Sequence, residues 1–127
     1  MNYRLHHVHL ICRDLEKMIT FFKGDIGAKL VKRRKFGDAD GAMLELEGTY
    51  INLRVARDGE EIGENPAPSN YGYDHIGLQV EDVQAAYEAL AKRGYSFFKP
   101  PTEAAGSMIA FFKGPENITI ELIQPKA

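Results

Sequence analysis

His7-Val8-His9-Leu10, followed by Asp14-Leu15, decides the fold. It returns as His75-Ile76-Gly77-Leu78, followed by Asp82-Val83, at a spacing of 68 residues. Farther along, Ile51-Asn52-Leu53 returns as Ile120-Glu121-Leu122 at a spacing of 69. A chain built twice from one pattern is expected to place matching positions alike in two modules. Three of the four matched polar positions hold side chains that bind metals: His7, His75 and Glu121. The fourth is Asn52.

The first copy reads as one strand, one helix and three strands. Leu5, His7, His9 and Ile11 alternate with His6, Val8, Leu10 and Cys12, the period of a strand with two unlike faces. Asp14 stands where a helix N-cap belongs, and Leu15, Met18, Ile19 and Phe22 follow at helical spacing, with Gly24 and Gly27 at the end. Residues 28–35, 41–47 and 49–56 read as strands, the last two joined tightly at Glu47-Gly48. The second copy repeats the order: a strand over 74–80, a helix capped by Asp82 with Val83, Ala86, Tyr87 and Leu90 as its apolar stripe, then strands over 95–98, 107–113 and 118–124.

Between the copies, Arg57-Asp58-Gly59-Glu60-Glu61 is polar, and Pro66-Ala67-Pro68-Ser69-Asn70 cannot continue a strand or helix. The expected organisation is one domain over residues 1–127: a βαβββ module (1–56), a linker (57–72) that doubles as a lid, and a second βαβββ module (73–127). The fold class is α+β. Neither half is expected to bury its sheet alone, so the two modules should form a curved mixed sheet around a metal-binding cleft.

Strand alternation sorts the faces. His7 and His9 share one face, and Val8 and Leu10 lie beneath the helix. Tyr50, Asn52 and Arg54 oppose Ile51, Leu53 and Val55. In the second copy His75, Gly77 and Gln79 share the polar face, as do Thr119, Glu121 and Ile123. If Glu47-Gly48 is a two-residue turn, Glu45 pairs with Tyr50 and joins that face with Met43; a turn one residue longer reverses this. Phe111 and Phe112 straddle their strand, so one is core and the other lines the cleft.

Composition excludes some roles. Hydrophobic residues make up 44% and charged residues 27%, and the formal charge is −2. Nothing there calls for nucleic acid or an anionic membrane as partner. Lys32-Arg33-Arg34-Lys35 reads first as a solvated strand edge that resists sheet-to-sheet pairing. Cys12 is the one cysteine, so neither an intrachain disulfide nor a cysteine-based zinc site is available, and the residue reads as core. No run reaches transmembrane length and no secretory pattern opens the chain, so the expected compartment is the cytoplasm.

A lone histidine on a strand is more often structural than a ligand. The joint pattern shifts that balance. Glu121 sits between Ile120 and Leu122, with no Lys or Arg in its own strand, and a buried carboxylate is costly unless paired or bound to a cation. Two histidines brought to the same face by the repeat make a divalent cation a natural partner. Two His and one carboxylate leave coordination sites for water and substrate.

These residues resemble the vicinal oxygen chelate superfamily, the group of glyoxalase I, methylmalonyl-CoA epimerase, extradiol dioxygenases, and fosfomycin- and bleomycin-resistance proteins. The likeness spans the chain. It is carried by His7-Val8-x-Leu10, Asp14-Leu15-Glu16-Lys17, Phe21-Phe22 and Gly27, then by Tyr73-Asp74-His75-Ile76-Gly77-Leu78, Val80-x-Asp82-Val83, Ala110-Phe111, Gly114-Pro115-Glu116-Asn117 and Ile120-Glu121-Leu122-Ile123. The resemblance implies metal ligands at His7, His75, Glu121 and the position of Asn52. Glyoxalase I enzymes usually carry Glu or Gln there. Asn is shorter and cannot act as a base, which counts against a standard glyoxalase I, so the likeness leans towards methylmalonyl-CoA epimerase-like and glyoxalase-like single-domain members.

The implied chemistry is proton transfer next to a carbonyl chelated by a divalent metal (Zn, Ni, Co, Mn or Fe). Glu45 and His9 are the candidate catalytic bases. Arg54, Asn52 and Tyr50 are the candidate substrate-binding residues, Arg54 suiting a carboxylate or phosphate. The expected function is a lyase or isomerase acting on a small molecule, in a homodimer. An Fe(II)-dependent extradiol-type dioxygenase and a non-catalytic resistance-type binding protein are the alternatives.

Overall fold

The computed structural model describes residues 1–64 and 71–126. The chain is α+β and consists of two βαβββ modules, in two compact units, Met1–Gly63 and Glu64–Ala127. The proline-rich stretch 66–70, the proposed centre of the lid, lies outside the described residues.

In the first unit, β1 (His7–Ile11) leads through α1 (Leu15–Thr20) to β2 (Lys29–Phe36), β3 (Ala39–Leu46) and β4 (Thr49–Arg54), and the sheet order is β1-β4-β3-β2. The Asp14 side chain accepts from the Lys17 N–H at 3.0 Å, starting the helix where the sequence places it. The α-helix stops earlier than expected. Phe21–Ile26 forms a π-helical turn, with the Gly27 N–H bonded to the Phe22 carbonyl and Gly27 at φ 93°. Phe21 and Phe22 are both buried, and the wider turn lets adjacent rings face the sheet together. Beneath them lie Ala42, Leu44, Ile51 and Leu53, the core of this unit.

The hairpin at Glu47-Gly48 is the two-residue turn. Leu46 pairs with Thr49, Glu45 with Tyr50 and Met43 with Asn52. β1 runs parallel to β4, with His7 opposite Tyr50 and His9 opposite Asn52. The basic run lies on edge strand β2. Two of its charges are paired, Arg33 donating two hydrogen bonds of 2.6 Å to the Glu16 carboxylate and Lys35 one of 2.7 Å to Asp40.

The second unit follows the same plan: β5 (Ile76–Gln79), α2 (Val83–Lys92), β6 (Phe97–Ala104), β7 (Ser107–Lys113) and β8 (Thr119–Gln124), in the order β5-β8-β7-β6. Gly77 pairs with Glu121 as His9 pairs with Asn52, so the repeat extends to strand register. The largest differences from the expected strand boundaries fall at β5 and β6. β5 begins one residue after His75. β6 runs on through Pro100 and Pro101, which an edge strand with irregular register tolerates because its outer side needs no N–H donors. Phe112, Ile120, Leu122 and Val83 form the core here.

Candidate metal and substrate site

In the second unit, β8 carries Glu121 and the chain entering β5 carries His75. Their side chains meet, with Nε2 2.9 Å from Oε1. Glu121 is mostly buried, its side chain 16% exposed. The other ring nitrogen of His75, Nδ1, lies 2.8 Å from Asp74 Oδ2. The hydrogen bond to Asp74 raises the His75 pKa, burial opposes the rise, and Glu121 adds to it. The Phe111 ring packs edge-on against His75 at 5.2 Å, while Phe112 is the buried member of that pair.

The donor set fits a divalent cation. An imidazole nitrogen and a carboxylate oxygen 2.9 Å apart are close enough for one ion, at about 2.0–2.2 Å from each, to touch both. The same 2.9 Å is also the length of a hydrogen bond from a protonated His75 Nε2 to Glu121. Among the described residues, no three His, Cys, Asp or Glu side chains form a ready-made metal cluster. Of the three expected ligands, the structure pairs His75 with Glu121.

In the first unit, the polar face holds His7, His9, Tyr50, Asn52, Arg54, Met43 and Glu45, as the hairpin register requires. His7 Nδ1 lies 2.9 Å from His6 Nδ1, and the His6 ring tilts against Tyr50 at 5.2 Å. Asn52 is 7% exposed, and its buried Oδ1 has no hydrogen-bond partner. An orphaned amide oxygen on the expected ligand face is a neutral donor ready for a cation or a substrate hydroxyl.

Glu45 turns its Oε1 back to accept from the Gly48 N–H at 2.8 Å. The His9 ring packs against Phe36 at 4.5 Å. Its pKa is lowered by burial, then by Arg54, His7, Arg57 and Arg34. Arg54 is buried at 9% exposure and grips Glu60 through both nitrogens, at 2.8 and 2.9 Å. It is thus neither a rim charge nor an open anion receptor. The sequence reading missed His6, Asp74 and Glu60. For the first two a signal existed, since each directly precedes a repeat histidine; for Glu60, in a charged loop, there was none.

The family follows from these two modules. Residues 4–122 match the model of the Glyoxalase/Bleomycin resistance protein/Dioxygenase superfamily. The chain belongs to that superfamily. It is 27% identical to the lactoylglutathione lyase of Neisseria meningitidis (serogroup A), over 98% of this chain and 92% of that protein. Among solved structures it resembles a glyoxylase/bleomycin resistance protein/dioxygenase domain from Frankia, with a TM-score of 0.80 at 26% identity, over 99% of this chain and 100% of the other. It also shares the fold of the fosfomycin resistance protein FosX from Listeria monocytogenes, solved with Mn(II) and sulfate. There the TM-score is 0.72 at 20% identity, covering 97% and 93% of the two chains. No helix among the described residues is long and apolar enough to cross a membrane.

Proposed function

We propose that this superfamily member is a divalent-metal-dependent lyase that moves a proton between carbons next to a carbonyl. The observation that carries the reading is the His75–Glu121 pair, a half-buried imidazole and carboxylate close enough for one ion to touch both. His7 and Asn52 stand at the matching repeat positions of the first unit, and the repeat alone supports them as further metal donors. All 127 residues act as one domain.

The bound cation supplies Lewis-acid polarisation of the substrate carbonyl. The residues of the chain do the rest. Glu121 brings the anionic charge that holds a cation, and Phe111 shields the face of His75 from water. His9, on the His7 face, takes the α-proton and returns it to the neighbouring carbon. Glu45 is placed for the same task once its bond to Gly48 opens. Tyr50 walls the substrate position, and Arg54 sets its electrostatics through the fork it shares with Glu60.

As substrate class this reading takes the hemithioacetal of a 2-oxoaldehyde and a thiol, with a lactoylglutathione lyase among the relatives in its support. One C–H bond breaks at the carbinol carbon and one forms at the former carbonyl carbon, giving a 2-hydroxyacyl thioester without net redox change. The reading includes a cytoplasmic homodimer, in keeping with the habit of the superfamily.

The test is thioester formation from methylglyoxal and glutathione by protein loaded in turn with Zn, Ni, Co, Mn or Fe(II). Activity that follows the metal and disappears with a chelator supports the reading. Oxygen uptake with Fe(II) and a catechol, without thioester formation, would make the chain a dioxygenase instead.

A further inference from the structure

The repeat reaches one residue further than the ligands. His6 precedes His7 and Asp74 precedes His75 at the same spacing of 68. In both modules that preceding residue touches the same ring atom, with His6 Nδ1 2.9 Å from His7 Nδ1 and Asp74 Oδ2 2.8 Å from His75 Nδ1. Two different side chains, one aromatic and one carboxylate, thus meet the same nitrogen from the same chain position.

We infer that His6 and Asp74 are paired positioning residues, each accepting the Nδ1–H of the histidine that follows it and leaving the Nε2 lone pair of that histidine open to a metal ion. The inference rests on His7 and His75 being ligands. A neutral imidazole carries one N–H, and the hydrogen bond at one nitrogen decides which nitrogen keeps its lone pair. For His75 both ring nitrogens meet carboxylate oxygens, Nδ1 at Asp74 and Nε2 at Glu121; a cation that takes the Nε2 lone pair beside Glu121 leaves the Nδ1–H to Asp74. For His7 the acceptor must be the lone pair of His6 Nδ1, so His6 carries its own proton on Nε2. His6 is fixed for this, since its carbonyl accepts the Tyr50 N–H at 3.0 Å and its ring lies against Tyr50. Asp74 adds a negative charge that makes His75 the more basic ligand. His6 adds none.

That asymmetry sets the test, which is zinc affinity of the full chain measured by competition with a chelating indicator. Outer partners of ligating histidines are typically worth about 10–100-fold in metal affinity. Asp74→Ala is expected near the upper end of that range and His6→Ala near the lower. Asp74→Asn, which keeps an acceptor oxygen without the charge, should fall between Asp74→Ala and the parent. His6→Asp should recover the loss of His6→Ala or exceed the parent. Ring nitrogen NMR of the zinc-loaded protein should show both histidines protonated at Nδ1 and metal-bound at Nε2. Both positions are exposed, so the variants should fold. Parent affinity in Asp74→Ala, with loss in His75→Ala, would overturn the positioning role and leave the ligands standing. Parent affinity in His75→Ala would overturn the ligand reading itself.

Discussion

Arg54 and Glu60 form a two-pronged ion pair, Nη1 to Oε1 at 2.8 Å and Nη2 to Oε2 at 2.9 Å, that ties the loop after β4 to the polar face of the first unit. The Arg54 bonds, helped by the Arg57 N–H, lower the Glu60 carboxyl from an ordinary 4.5 to about 2. A carboxyl with a depressed pKa binds fewer protons when folded than when unfolded. Its contribution is therefore present above the unfolded pKa and lost as pH falls through the folded one. Urea midpoints should fall between pH 4.5 and about 2, and Glu60→Gln should lack the part of that fall belonging to this pair. Parallel profiles for parent and variant would show that the pair contributes nothing to folding.

Asn52 combines a structural cost with a functional use. Its buried oxygen has no partner, and replacing an unsatisfied polar group by an apolar one of similar size is close to neutral or stabilising. Asn52→Leu is expected to keep or raise the melting temperature while weakening metal retention. Asn52→Glu should tighten metal binding. A clear loss of stability in Asn52→Leu would mean that the amide is a structural hydrogen-bonding group after all.

Much of this arrangement was legible in the chain, for local reasons. Strand alternation and a two-residue turn at Glu47-Gly48 are enough to put Glu45, Tyr50 and Asn52 on one face. What escaped the sequence depends on side-chain rotamers and competition between contacts. The Glu45 carboxylate closes on Gly48, Glu60 reaches back to Arg54, and Asp74 and His6 turn towards the rings beside them. The π turn at Phe21–Ile26 arises because two adjacent rings must be buried at once, a tertiary demand that helical spacing alone does not reveal.

Gly41 has no room for a side chain. A Cβ there would meet the Leu53 carbonyl oxygen and, at 2.6 Å, the Phe36 ring that also packs against His9. The carbonyl belongs to the β3–β4 ladder and cannot move cheaply. Gly41→Ala should cost about 1–3 kcal/mol by overpacking, read from chemical denaturation. An unchanged midpoint would show that Phe36 and β4 yield without strain.

The helix caps provide a control remote from the chemistry. Asp82 accepts the Ala85 N–H at 3.1 Å at the start of α2. Asp82→Ala should cost about 1 kcal/mol of stability and leave zinc affinity unchanged. A fall in affinity would make α2 part of the site.

The metal content of freshly purified protein, for the parent, His75→Ala and Glu121→Ala, tests the central claim most directly. The parent should carry a divalent cation, and both variants should have lost it while their circular dichroism spectra remain those of a folded chain. Full metal content in either folded variant would contradict the assignment of His75 and Glu121 as ligands.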